Sequence, residues 1–362
     1  MKKLMLTTAI ASVLTTAAIA QTTVSGELRI NYKMIGLDRG LGTTVTSQNT
    51  TAGSIPAVGN GDSMQGFGTE QQINVQTKGK LNIGGLDYAA GFSLENDGEQ
   101  TTTLFNENVY IDLTNASSGT TISFSRDHIQ RSDTDRSATN LVGFTPNEMS
   151  QATAAIQTIF QQNIGAAPGQ NMGIAIVQAF PMATLSYNYV PNNAAPGASE
   201  DVVNPTKAAT EYGITGNLGV KGLSVHYFKN EDEKTVTTSL VKAEGKNYGV
   251  SYNFGQFTAA ANKKVYNPAS AAADYVETTE KAYAIAYAVN KDLSIGILSA
   301  SGELSGAGKN AASVNKQKIK AINVGYALGP VDLAVGYAQN SDVLGVAGND
   351  SDVFMARLIG KF

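Results

Sequence analysis

Apolar and polar residues alternate with a period of two along most of the chain. Between positions 22 and 34, Val24, Gly26, Leu28, Ile30, Tyr32 and Met34 share one parity, while Ser25, Glu27, Arg29, Asn31 and Lys33 share the other. Successive side chains of a strand point to opposite faces, so this segment is a strand with one apolar and one strongly polar face. The pattern returns where Gln72, Asn74, Gln76 and Lys78 interleave with Ile73, Val75 and Thr77, and again around Tyr88/Ala90/Phe92/Leu94 and Val109/Ile111/Leu113. It continues through Leu185/Tyr187/Tyr189, Tyr212/Ile214/Leu218, Leu223/Val225/Tyr227 and Tyr248/Val250/Tyr252/Phe254. Tyr283/Ile285/Tyr287/Val289, Leu293/Ile295/Ile297, Ile322/Val324/Tyr326/Leu328 and Val331/Leu333/Val335/Tyr337 extend it. Looser versions occupy 120–126, 172–180, 257–265 and 350–362, for a total of sixteen segments.

The connections between segments alternate in length. Short turns rich in Gly, Pro, Asn and Asp fall at 82–85, 115–119, Pro181-Met182, 219–222, Gly255-Gln256, 290–292 and Gly329-Pro330. Between them lie long polar connections at about 35–69, 96–105, 127–171, 191–209, 229–246, 266–278, 300–315 and 341–349. A water-soluble sandwich would show the same side-chain alternation. Short turns at one end and long loops at the other are instead the layout of an all-β transmembrane barrel. An even strand count puts both termini at the short-turn end, where the first and last strands pair and no sheet edge meets hydrocarbon. Sixteen strands also leave room for an aqueous lumen. Tyr88, Phe180, Phe254, Phe257, Tyr326 and Phe362 fall near short-turn ends, and Tyr32, Phe92, Tyr189, Tyr227, Tyr248, Tyr337 and Phe354 near long-loop ends. Two such belts suit the two membrane–water boundaries.

Composition agrees with this layout. Hydrophobic residues make up 42% of the 362 positions, as in a soluble protein, because only alternate barrel residues face lipid. Residues 1–20 read as a cleaved signal peptide, with Lys2 and Lys3, a short apolar stretch and the small-x-small site Ala18-Ile19-Ala20. The barrel is then expected over 21–362. With no cysteine, the chain has no disulfide framework and no thiolate metal site. The formal charge of −4 and the lack of a basic tract argue against nucleic acid. No cofactor is expected.

The connection over 127–171 carries helix signals. Thr145-Pro146-Asn147-Glu148 is a capping box with proline at the first helical position. Met149, Ala152, Ile156, Ile159 and Phe160 follow at helical spacing, and Gly165 is a stop. Folded into the barrel, that apolar stripe can pack on the inner wall.

Phe354, Ala356, Leu358, Gly360 and the terminal Phe362 share the outward parity. A last strand of this kind resembles the insertion signal of outer-membrane proteins that the barrel-assembly machinery reads. Size, strand number, loop alternation, the position of the longest loop and the terminal Phe362 together resemble the general diffusion porins of Gram-negative bacteria. The resemblance implies a homotrimer in outer-membrane lipid that passes small hydrophilic solutes and ions, with the third external loop bent inward as a constriction. The Pro-Glu-Phe-Gly-Gly stretch of enteric members has no counterpart here. In such porins loop acids oppose wall bases. The matching residues here are Asp133, Asp135 and Glu148 on the loop, and Arg29, Lys33, Lys78 and Arg357 on neighbouring strands of the closed barrel. Glu148 is equally a helix-cap partner. Acids in the external connections, namely Asp97, Glu99, Glu200, Asp201, Glu231, Asp232 and Glu233, predict mild cation selectivity, offset by Lys234, Lys242, Lys263 and Lys264.

Three other functions compete. An enzyme would have to use His128 or His226, the only histidines, and the strands between them leave no shared triad or metal cluster. A substrate-specific channel would stack aromatics along the lumen, but most aromatics take outward parity, with Tyr110 and Phe228 as exceptions. An adhesin would act through its loops, whose Ser/Thr/Asn/Gly/Ala-rich composition decides nothing. The loop acids show no EF-hand spacing for a divalent cation.

Overall fold

Sixteen strands follow one another in chain order: β1 (Gln21–Arg39), β2 (Ser63–Lys80), β3 (Leu86–Asn96), β4 (Phe105–Asn115), β5 (Thr120–Arg126), β6 (Gly173–Ala179), β7 (Ala183–Val190) and β8 (Ala209–Gly216), then β9 (Leu223–Val236), β10 (Ser239–Phe254), β11 (Phe257–Asn267), β12 (Glu277–Ala288), β13 (Leu293–Ser305), β14 (Gln317–Ala327), β15 (Val331–Ser341) and β16 (Asn349–Lys361). The computed structural model describes residues 21–39, 63–81, 85–96, 105–126, 137–150, 159–160, 172–191, 208–236, 239–267, 277–306 and 314–362. The expected signal peptide, His128, Asp133, Asp135, and most of the expected helix at 151–158 and 161–165 lie outside them.

Each strand pairs antiparallel with its chain neighbours, and β1 pairs with β16 to close the barrel. Closure runs from Glu27↔Lys361 to Arg39↔Asn349. The terminal residue takes part: Gly26 N–H donates to the Phe362 carbonyl at 2.8 Å, and Phe362 N–H donates to Gly26 at 3.1 Å. A Cβ at Gly26 would collide with the Phe362 ring, so this glycine seats the last side chain against the first strand.

The apolar parity faces outward and stays uncovered. Val24, Ile111 and Ile297 are 60%, 53% and 56% exposed, and Leu185, Tyr212, Tyr252 and Leu358 on other strands share that exposure. A contiguous apolar belt of this extent marks a surface made for lipid. Outward aromatics gather along it: Phe254, Phe257 and Tyr287 are linked by ring contacts of 5.7 and 4.8 Å, and Tyr227 meets Tyr248 at 6.3 Å.

The short turns among the described residues fall where the polar punctuation put them, as at Gly255, whose φ of 77° a side chain would resist, while 82–84 of the first expected turn lie outside the described residues. The long connections differ in several places: β1 runs to Arg39, β2 begins at Ser63 and β13 runs to Ser305, so the connections expected at 35–69 and 300–315 are shorter. The loop expected at 229–246 is largely a continuation of the β9–β10 hairpin, which reaches Val236 and restarts at Ser239. Beyond the Tyr227/Tyr248 pair the outward positions Lys229, Glu231, Glu244 and Lys246 are charged, so no apolar alternation marked the hairpin, and Lys229 is held by Glu231 and Glu244, each at 2.9 Å. Glu231, Asp232 and Glu233 are therefore strand residues and not a free ring of loop acids. The last long connection contains a 3-10 turn at Val343–Gly345, and Val343, Leu344 and Val346 are buried against Ile159 of the third connection.

Candidate functional site

The inner wall is not uniformly polar. On β12 to β16 the inward positions include Ala282, Ala284, Leu298, Ile319, Ala338 and Met355, all buried although they face the lumen. What buries them is the third long connection, between β5 and β6. Phe144, Met149 and Phe160 of this segment are at most 1% exposed and join those wall residues in one apolar cluster. Each such side chain contributes about 1.5–3 kcal/mol when fully buried. Glycines deepen the bed: a Cβ at Gly336 would stand 2.7 Å from the Phe144 ring, and one at Gly296 would stand 2.9 Å from Val142.

The capping box forms. Thr145 N–H donates to the Glu148 carboxylate at 2.7 Å, and Glu148 N–H donates to Thr145 Oγ1 at 3.3 Å. Met149 N–H then reaches the Thr145 carbonyl at 3.1 Å, closing one turn, and 145–150 is a hydrogen-bonded turn beyond which the described residues break off. Phe144 precedes the cap and Met149 is the fourth residue inside it, the two positions of a hydrophobic staple. That staple was the readable signal for Phe144, which the helical stripe alone had missed.

Polar bonds fix the same segment to the wall. Ala138 N–H donates to Asn262 Oδ1 on β11 at 3.2 Å, and Asn340 Nδ2 on β15 donates to the Met149 carbonyl at 3.0 Å. Gln317 Oε1 on β14 accepts from Ile159 N–H at 3.1 Å and from Leu344 N–H at 3.2 Å, so one buried amide joins the third and last connections. His226 belongs to this scaffold: its Nε2 lies 3.3 Å from Asn247 Oδ1, which also accepts from Asn262 Nδ2 at 3.1 Å. Among the described residues no group of three or more His, Cys, Asp or Glu could hold a metal ion.

The charged wall lies at the barrel seam. Arg357 on β16 forms an ion pair with Glu148, donates through Nε to Asn31 Oδ1 at 2.6 Å, and stacks 4.9 Å over the Phe144 ring. Arg29 on β1 is flanked by Glu27 at 2.7 Å and by Glu70 of β2 in a second ion pair. Lys33 is near enough to Glu148 and Arg357 to feel both charges. Lys78 stands apart, opposite Gln21 at the short-turn end. Arg29, Arg357, Glu148, Asn147, Lys264 and Glu280 line a shared chamber of about 270 Å³ beside the inward segment. Closure thus brings Arg29, Lys33 and Arg357 together with Glu148. Glu27 and Glu70 were missed, although Glu27 shares the parity of Arg29 two residues away.

A family model described as Gram-negative porin matches residues 7–357. No curated protein matches the chain in sequence. Among solved structures, an anion-selective porin from Comamonas acidovorans superposes with a TM-score of 0.66 at 13% identity, covering 95% of this chain and 100% of that one. Outer-membrane expressed OmpT of Vibrio cholerae gives 0.61 at 11% identity, with 96% and 99% covered. A triple mutant of Rhodopseudomonas blastica porin gives 0.53 at 12% identity, with 94% and 100% covered. At such identities the likeness is one of fold.

Proposed function

The chain belongs to the Gram-negative porin family, and from that premise we propose that its barrel is an outer-membrane channel through which small hydrophilic solutes and ions diffuse passively. The observation that carries this reading is the contrast between the two walls: an outer surface of exposed apolar side chains, and an inner surface that holds a charged chamber beside an inward-packed loop segment.

The segment 137–150 narrows the lumen from the β11–β16 side, and Glu148 with Arg29, Lys33 and Arg357 forms the charged rim of the passage. Lys78 adds a cation nearer the short-turn mouth, and Asp133 and Asp135 add acids on the loop. Among the described residues inward carboxylates, including Glu27, Glu70, Glu95, Asp112, Glu211, Asp232 and Glu280, outnumber inward cations. The channel is therefore mildly cation-selective. The anion selectivity named for the Comamonas porin is a property of that protein. Three such barrels assemble as a homotrimer, after removal of residues 1–20 and insertion by the barrel-assembly machinery.

Swelling of liposomes that contain the refolded 21–362 chain tests the reading. Rates should fall steeply with sugar size and show no saturation. Entry of one sugar only, with saturation, would make it a substrate-specific channel.

A further inference from the structure

The outward face of β11 to β14 breaks the rule that lipid-facing positions are apolar. Lys263, Lys281, Lys318 and Lys320 all take outward parity within four residues of the long-loop ends of their strands. Lys263 stands directly opposite Lys281 across the β11–β12 pair. Lys281 and Lys318 flank Ser301 in one row, and Lys320 pairs with Ser299 in the next. Like charges directly opposite on a sheet are destabilising. Among the described residues none of the four makes an ion pair, whereas outward Glu303 is taken by Lys316 at 2.7 Å. Asp352 lies two strands from Lys320 and is bonded to Tyr337. Lys263 stands over the Tyr248 ring, 5.7 Å away.

Directly below the lysines an apolar groove of about 700 Å³ runs down the outer wall, lined by Ala259, Tyr283, Ile297, Ile322 and Tyr337, with Lys320 at its head. The small Ala259 and Ser299 give the groove its depth between taller neighbours. An apolar trough capped by uncompensated cations at a membrane boundary matches one kind of molecule. We propose that this groove and its four lysines bind a phosphate-bearing lipid of the surrounding leaflet, with an acyl chain along Ile297 and Ile322 and the phosphates on Lys281, Lys318 and Lys320. A second copy of the chain fits less well. It would bury four ammonium groups against a protein wall, and the described outward carboxylates nearest them are already engaged.

The proposal rests on the chain being a membrane barrel. Its test is read in detergent with no conductance involved, so a silent barrel that retains the lipid defeats only the channel reading. Native mass spectrometry of the refolded 21–362 chain would compare diphosphorylated lipid A, its dephosphorylated form and inorganic phosphate. Lipid A should remain bound and the dephosphorylated form should not. A K263S/K281S/K318S/K320S variant should bind about fivefold more weakly per lysine removed. Ala259→Trp, which fills the groove, should weaken binding with every lysine in place. Lys291→Ser, at a short turn, should change nothing. Equal retention of the dephosphorylated lipid, undiminished binding by the four-lysine variant, or displacement of lipid A by millimolar phosphate would overturn the proposal. So would a four-lysine variant that loses subunits but keeps its lipid, which would assign the face to a second copy.

Discussion

Glu148 and Arg357, 209 residues apart in sequence, form an ion pair that ties the inward segment to the strand closing the barrel. Arg357 also bonds Asn31 on the first strand and covers the Phe144 ring, so one guanidinium joins the seam, the loop and the charged chamber. Arginine suits this position because its planar fork can pair, donate sideways and stack at once.

Glu148→Gln should loosen the segment while leaving the barrel intact. The pair is only partly exposed, with side chains 12% and 25% accessible, and losing its charge-assisted bond should cost about 1–2 kcal/mol. Single-channel records should show noisier open currents than the parent. Identical noise and conductance would mean that Met149, Phe144 and Asn340 hold the segment without it.

Gly336→Val tests the bed beneath the loop. The added side chain would press on Phe144 and on Asn323 Oδ1. Overpacking of this kind costs about 1–3 kcal/mol. Larger sugars should enter liposomes faster, because the segment must lift off the wall. An unchanged size limit would show that 137–150 does not set it.

Gln317→Ala removes the acceptor shared by Ile159 and Leu344. Two buried N–H groups would be left unpaired, at about 1–3 kcal/mol each. Proteolysis of the folded protein should reach both connections together. Cleavage confined to one of them would deny the coupling.

Gly26→Leu displaces the Phe362 ring from its seat. Barrel assembly should slow, and the folded band should lose heat resistance in electrophoresis. The same defect should follow deletion of Phe362 alone. Normal assembly of both variants would remove the terminal contact from the closure mechanism.

The barrel was readable because lipid imposes an alternation of apolar outward side chains along the membrane-spanning part of each strand, and the turns at one end reverse tightly. Where lipid ends the rule ends, which is why the upper β9–β10 hairpin, with charges at its outward positions, looked like a loop. The rule also fails inside, where the apolar bed at Ala282, Leu298 and Ile319 is explained only by the segment lying on it. Arg29, Lys33 and Arg357 were singled out by the resemblance to porins, and parity with barrel closure then put them on neighbouring strands. Glu70 was not singled out, because its partnership with Arg29 depends on the β1–β2 register, which the 35–69 connection hides.

Recording single-channel current from the refolded 21–362 chain in a planar bilayer, in concentrated potassium chloride and then under a salt gradient, addresses the central claim most directly. An open diffusion channel predicts large ohmic steps, indifferent to added sugars, with a reversal potential slightly favouring potassium. A correctly folded, heat-modifiable barrel that carries no current would contradict it and turn attention to the external loops.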